Sequence, residues 1–357
     1  MFFKNTGMTC KLFLTFDHEL PLGGVKTSYK EALFDPTYKL LNIADELNVP
    51  VTLFSDVLCA YKFSEWDKNN FFEAYKDQLQ QALYKNHDVQ LHIHPHWLTS
   101  SFDGKTYVPS KDFKLSDFIA HPEWNTGKII GHGAGFLKKI CAVAQDDYQC
   151  IAFRAGGYNL EPGSDQIFQN LIEQGIRFDS SICKNYRFSS ALSAVDYRGM
   201  PEAPNWFIGP DGHIKKTSDT GVLEIPIAGI PKTIFEVPTR FKLKKYSSQA
   251  PVDHGFQIHQ GKQGGMMNSM SQLFSDRMLT FDNYTYSLEY LMKILEYNMK
   301  KYRHYDEIMM CAIGHPKTMS DYAMKLFRSF VLKVREKYQD QLQFCTYRQL
   351  NNDLKNT

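Results

Sequence analysis

The chain has 357 residues, 43% hydrophobic and 22% charged, and 41 Lys and Arg against 39 Asp and Glu leave a net charge of +2. That length allows one large α/β domain or two ordinary ones with a substantial core, and the charge balance has neither the basic excess of a nucleic-acid binder nor the acidity of a halophile. No segment is long enough to span a membrane, positions 1–16 lack the features of an export signal, and the seven scattered cysteines fit reduced, buried thiols, so a cytoplasmic protein is expected.

In chain order, short apolar runs alternate with helical periods. Residues 11–16 read as the first strand, 38–48 as a helix and 51–54 as the second strand. A helix over 72–86, a strand over 88–92, a helix over 133–143 and a strand over 150–154 continue the rhythm. Next come a helix at 166–174 and strands at 176–178 and 223–227. The chain closes with a helix at 288–302, a strand at 308–313, a helix at 322–338 and a strand at 342–346. Seven or eight mainly parallel strands interleaved with helices predict an α/β fold, a distorted TIM-like barrel that is closed or nearly so.

A single domain over 1–357 is expected, with rim insertions at about 184–221 and 236–285, where Ser, Gly, Pro and aromatic residues break the rhythm. The first insertion holds Pro210-Asp211-Gly212 between apolar flanks, a hairpin signal. The second holds Arg240, Lys242, Lys244 and Lys245, then a Gly-rich run at 261–265. Thr280-Phe281-Asp282 repeats Thr15-Phe16-Asp17, a match short enough to be read as coincidence.

The chemistry gathers at the ends of the expected strands, where a parallel barrel collects its reacting groups. The third strand runs into His92, His94 and His96, and imidazole is the commonest ligand of catalytic metals. In an extended chain His92 and His94 converge; after a turn at Pro95, His92 and His96 have the offset of one helical turn. Two histidines and a carboxylate make a common set for catalytic zinc with a position left for water. The carboxylate is sought in Asp17 or Glu19, which face the same way on an extended first strand while His18 faces the other. Asp17 needs a partner at the end of an apolar strand, and Arg154 is the candidate. An ion with one acid nearby and the lone His315 opposite suits amide or ester hydrolysis, with the acid as base and His315 protonating the leaving group.

These residues, taken in order, resemble the polysaccharide deacetylase family, carbohydrate esterase family four, whose members share a distorted α/β barrel. Thr15-Phe16-Asp17-His18-Glu19 is similar to a Thr-Phe-Asp-Asp motif whose first acid is the base and whose second binds the metal. The resemblance makes Asp17 the base and, with His18 in the second acid's place, passes the ligand role to Glu19. His92 to His96 resembles the motif with two histidines four apart, although a His-x-His-Pro form leaves His94 and His96 competing for the second position. Arg154 to Tyr158 resembles the third motif, in which the arginine positions the base and an aromatic residue walls the groove; Gly157 stands where proline is usual. Phe178-Asp179-Ser180-Ser181 is similar to the family's Asp-Ser-Ser segment, which makes Asp179 a candidate for substrate binding, and Ile313 to Pro316 to the motif that supplies the acid.

The resemblance implies removal of an N-acetyl, or less readily O-acetyl, group from a sugar, with a divalent ion as cofactor, zinc first and cobalt or iron as alternatives. A backbone amide near Tyr158 would help to stabilise the oxyanion. The partner implied is an acetylated sugar or oligosaccharide, possibly carrier-linked, whose phosphate the cluster at 240–245 could meet; nucleic acid is not expected. Alternatives are a deformylase or other amide hydrolase acting on a carrier-linked sugar, and a carbohydrate-binding relative without turnover.

Overall fold

A computed structural model describes residues 7–22, 24–25, 27–190, 192–232, 275–282 and 287–356. Among them, nine strands build one curled sheet: β1 (Thr9–His18), β2 (Thr52–Asp56), β3 (Asp88–Ile93), β4 (Ala152–Ala155), β5 (Phe178–Asp179), β6 (Trp206–Ile208), β7 (Val222–Glu224), β8 (Glu307–Gly314) and β9 (Leu342–Cys345). The spatial order is β6-β7-β5-β4-β3-β2-β1-β8, with β9 also paired to β1. Every pairing is parallel except β6 with β7.

β1 is bonded along both edges and covered on both faces, which its apolar run Leu12-Phe13-Leu14 permits. β8 lies along one edge, while the other is divided between β9, which takes Cys10–Phe13, and β2, which takes Thr15–His18. The far end of the sheet reaches back to β8 just after β7: Cys311 N donates to Pro226 O and Ala228 N to Cys311 O, both at 2.9 Å. The ends therefore meet through one bridge and not a ladder, giving the distorted TIM-like barrel expected from the alternation.

Helices α1 (Asp35–Glu46), α2 (Val57–Trp66), α3 (Glu73–Tyr84), α4 (Thr126–Cys141), α5 (Ser164–Glu173), α6 (Leu288–Lys301) and α7 (Asp321–Tyr338) flank the sheet, and α8 (Tyr347–Asn356) follows β9. α2 departs from the sequence expectation because Val57, Leu58, Cys59, Ala60 and Phe63 are all buried, so no clean amphipathic period marks it. α4 begins seven residues earlier than expected, with the Asn125 side chain accepting from Lys128 N at 2.9 Å. Its glycines weaken the helical signal, yet Gly133 lets the helix approach Val57, whose Cγ1 would stand 3.1 Å from a Cβ there.

α8, also unpredicted, crosses the amino-terminal ends of the strands. Arg348 N donates to Asp88 Oδ2 at 3.0 Å, and Asn351 Oδ1 accepts from Arg177 at 2.5 Å. Its first residue, Tyr347, fills the barrel interior against Phe13, Phe54 and Phe178 with ring centroids 4.8, 5.4 and 5.8 Å away.

Pro210-Asp211-Gly212 does form a turn, with Gly212 at φ +65° and its N–H on Gly209 O at 3.0 Å. Its flanks do not pair with each other, because β6 bonds β7 and Phe207 O accepts from Ser218 N. Of the second insertion only 275–282 lies within the described residues; the cluster at 240–245 and the Gly-rich run at 261–265 lie outside them. All seven cysteines are free thiols, six of them buried. No described helix is long and apolar enough to cross a membrane.

Candidate metal centre

Alternation along β1 sorts its carboxyl-terminal end. Leu14, Phe16 and His18 face the helical layer, where His18 Nε2 meets Gln78 Oε1 at 2.9 Å and burial pushes its imidazole down to about 4, leaving it neutral. Thr15 and Asp17 face inward, and Glu19, just past the strand, joins them. The residue that stands where a second acid is usual thus serves the outer packing, while the carboxylate two positions after Asp17 enters the site.

β3 delivers the imidazoles. His92 Nδ1 lies 2.9 Å from Arg154 O, which can only accept, so Nδ1 carries a proton and Nε2 is the nitrogen turned to the site. That nitrogen stands 3.1 Å from Glu19 Oε2, and His94 Nε2 stands 2.5 Å from the same oxygen. A buried carboxylate oxygen facing two imidazole nitrogens is satisfied by a proton on a nitrogen or by a cation held among the three. Glu19, His92 and His94 place one ligand atom each within 4.8 Å of the others, a cluster able to hold a divalent ion. Gly156 is what allows His94 this place, since a Cβ there would come 2.6 Å from His94 Nδ1.

His96 lies outside the cluster. The chain turns at Pro95 into a short helical segment, Pro95–Thr99, that carries His96 away to stack on Phe113 with centroids 4.5 Å apart and planes 4° from parallel. Burial, then His94, hold its pKa well below the ordinary value, and neither ring nitrogen has a partner among the described residues. Asp56, at the end of β2, fixes the loop by accepting from Trp97 Nε1 at 2.6 Å and His94 N at 3.4 Å. Sequence reading missed Asp56 because the expected strand stopped at 54; an acid ending a buried strand was the available signal.

Asp17 accepts from Arg154 Nη1 at 2.6 Å through Oδ1. Arg154 is fully buried over the Phe54 ring and donates also to Thr15 Oγ1, Ser180 O and Ser180 Oγ at 2.8–3.0 Å. Burial alone would raise the Asp17 carboxyl, but Arg154, with His92 and His315, holds it below the usual carboxylate range. Asp17 Oδ2 faces the site, 3.3 Å from His315 Nε2 and 3.9 Å from His92 Nε2.

His315 has a second acid behind it. Its Nδ1 stands 2.9 Å from Asp282 Oδ2, and its backbone N–H donates to Asp282 Oδ1 at 2.7 Å. Burial would depress the imidazole, but Asp282 and then Asp17 hold its pKa well above the ordinary histidine value. Asp282 belongs to the Thr-Phe-Asp echo taken for coincidence, and the echo has a structural meaning. Thr15 pairs with Ile313 on one edge of β8 and Thr280 bridges the same residue on the other, so each copy brings its aspartate to His315.

Replacing Asp282 by Asn removes the larger of the two carboxylate charges that keep His315 protonated and leaves that of Asp17. The protonated form is held up to the raised pKa and lost as pH rises through it. The alkaline limb of a kcat profile is therefore expected to move down toward about 6.5, the unperturbed histidine value. An alkaline limb shared by both proteins would remove Asp282 from this role.

Gly157 and Tyr158 both adopt left-handed backbone, at φ +59° and +61°, which a proline at 157 could not reach. The turn sets Tyr158 beside Tyr186 on the wall of a cavity of about 330 Å³, shared with Thr280, Asp282, Tyr290 and His315. Asp179 is elsewhere. It is fully buried and accepts from Ser181 Oγ at 2.7 Å, which in turn accepts from Ala155 N at 2.9 Å. This departs from the expected contact with substrate: the side chain braces the ends of β4 and β5 and does not line the cavity.

No family model matches the chain, and no curated protein matches it. A structure described as a polysaccharide deacetylase from Mycobacterium smegmatis is 15% identical over 98% of this chain and 91% of its own, with a TM-score of 0.49. Puue allantoinase is 10% identical over the same shares with a TM-score of 0.49. A polysaccharide deacetylase structure from Pseudomonas aeruginosa PAO1 is 12% identical over 96% of this chain and 90% of its own, with a TM-score of 0.45.

Proposed function

We propose that this protein is a metal-dependent hydrolase that removes an N-acetyl group from a sugar or a sugar-containing intermediate. The observation that carries the reading is Glu19 Oε2 set between His92 and His94, with Asp17 and His315 at the same mouth. Glu19, His92 and His94 are the proposed ligands of a divalent ion, with zinc the first candidate because nitrogen and carboxylate donors suit it. Such an ion supplies Lewis acidity toward an acyl oxygen and acidifies water.

The remaining work falls to the chain's own side chains. Arg154 occupies Asp17 Oδ1 and leaves Oδ2 directed into the site to take a proton from the attacking water. His315, held protonated by Asp282, gives its proton to the departing nitrogen. An amine leaves readily only when protonated, whereas an alcohol needs this help less, so a firmly protonated acid favours an amide over an ester. Tyr158, Tyr186 and Tyr290 offer aromatic faces for the apolar side of a sugar ring. The family-like order of the motifs supports a carbohydrate substrate. A binding protein without turnover would have no use for Arg154, Asp17, His315 and Asp282 linked in that order by charged contacts, which argues against that alternative.

Metal-reconstituted protein should be assayed for acid release from N-acetylated sugar nucleotides, lipid-linked sugars and short oligosaccharides. Acetate release from at least one, abolished by a chelator, is expected. Formate from N-formylated counterparts alone would shift the reading to a deformylase, and no acyl release by ion-loaded protein would end it.

A further inference from the structure

We infer that Lys317 is a positioning residue that restricts Glu19 to a single oxygen on the ion; the inference rests on the metal-hydrolase reading above. The two oxygens of Glu19 face different partners. Oε2 stands 2.5 Å from His94 Nε2 and 3.1 Å from His92 Nε2, whereas Oε1 stands 2.8 Å from Lys317 Nζ and 3.8 Å from His315 Nε2. Lys317 Nζ also donates to Leu20 O at 3.1 Å, so the end of β1 fixes the ammonium as well as Glu19 does.

The backbone beneath Lys317 is equally fixed. It lies on the short turn Pro316–Thr318, where Thr318 Oγ1 donates to Asp282 Oδ1 at 2.9 Å. One turn therefore sets both His315 and Lys317. The side chains of Lys317 and Glu19 are only 10% and 4% exposed, so water is a poor substitute for the pair.

A carboxylate can bind an ion through one oxygen or two, and a catalytic centre needs a position left open. For Glu19 to bind through both, Oε1 would have to abandon a charge-assisted hydrogen bond and leave a buried ammonium with the Leu20 carbonyl as its described acceptor. Lys317 thereby keeps the protein's contribution at three donor atoms and preserves the open position.

Cobalt(II)-loaded protein tests this, because visible cobalt absorption weakens as coordination expands beyond four ligands. Lys317→Met keeps the length of the side chain and removes the charge; Lys317→Gln serves the same comparison if the methionine variant does not fold. The variant is expected to show weaker cobalt absorption, several-fold tighter cobalt binding in a chelator competition, and slower turnover. Lys317→Arg is expected to keep the parent spectrum. An unchanged spectrum in the uncharged variant, or weaker binding with that spectrum, would overturn the inference and leave Lys317 a structural ion pair. Parent protein that takes up no cobalt would overturn the metal reading itself, and this inference with it.

Discussion

Asp17→Asn is expected to hold its divalent ion as the parent does and to turn over about 10³-fold more slowly, within the range of a lost general base. The reason lies in the division of labour between the carboxylate oxygens. Oδ1 is engaged by Arg154, and an asparagine oxygen can still accept there, so Arg154 is not stranded without an acceptor. Oδ2 is the oxygen open to the site, and the amide that replaces it donates where the reaction needs an acceptor. Glu19, His92 and His94 are untouched, so metal content should not change. Metal analysis beside steady-state kinetics checks both halves, and turnover within tenfold of the parent would remove Asp17 as base.

His94→Ala should lose the ion, and with it all measurable hydrolysis, while His96→Ala should keep it. Motif spacing left the two histidines in competition; the backbone separates them. His94 extends the line of β3 and reaches Glu19, whereas the turn at Pro95 sends His96 against Phe113. Metal stoichiometry of the two purified, folded variants decides the matter. The opposite result would require the 95–99 segment to rearrange when the ion binds.

The strands that carry chemistry were readable because period-two alternation leaves a direct trace in sequence. Asp17 and Glu19 on one side and His18 on the other follow from β1 being extended; Arg154 was legible as a charged strand end, but β2 and β3 lie between β4 and β1, and it reaches Asp17 across the interior over the Phe54 ring. What stayed hidden depends on contacts between distant segments. Asp282 acquires meaning only because the residues before it lie beside β8, and Asp56 only because Trp97 returns to it. Asp179 shows the reverse case: its motif was visible, but the side chain points into packing that local sequence does not disclose. α2 and α8 were hidden for the same reason, one by burial all round, the other because its anchor, Tyr347, is a lone aromatic whose pocket is assembled from three separate strands.

That anchor also governs traffic. With α8 laid across the amino-terminal ends of the strands and Tyr347 wedged among Phe13, Phe54 and Phe178, the barrel is a cup with a stoppered floor. Among the described residues that floor is covered, so a substrate of the proposed hydrolysis would approach Asp17 and His315 over the opposite rim, and both halves of a severed amide would depart by the way the whole arrived.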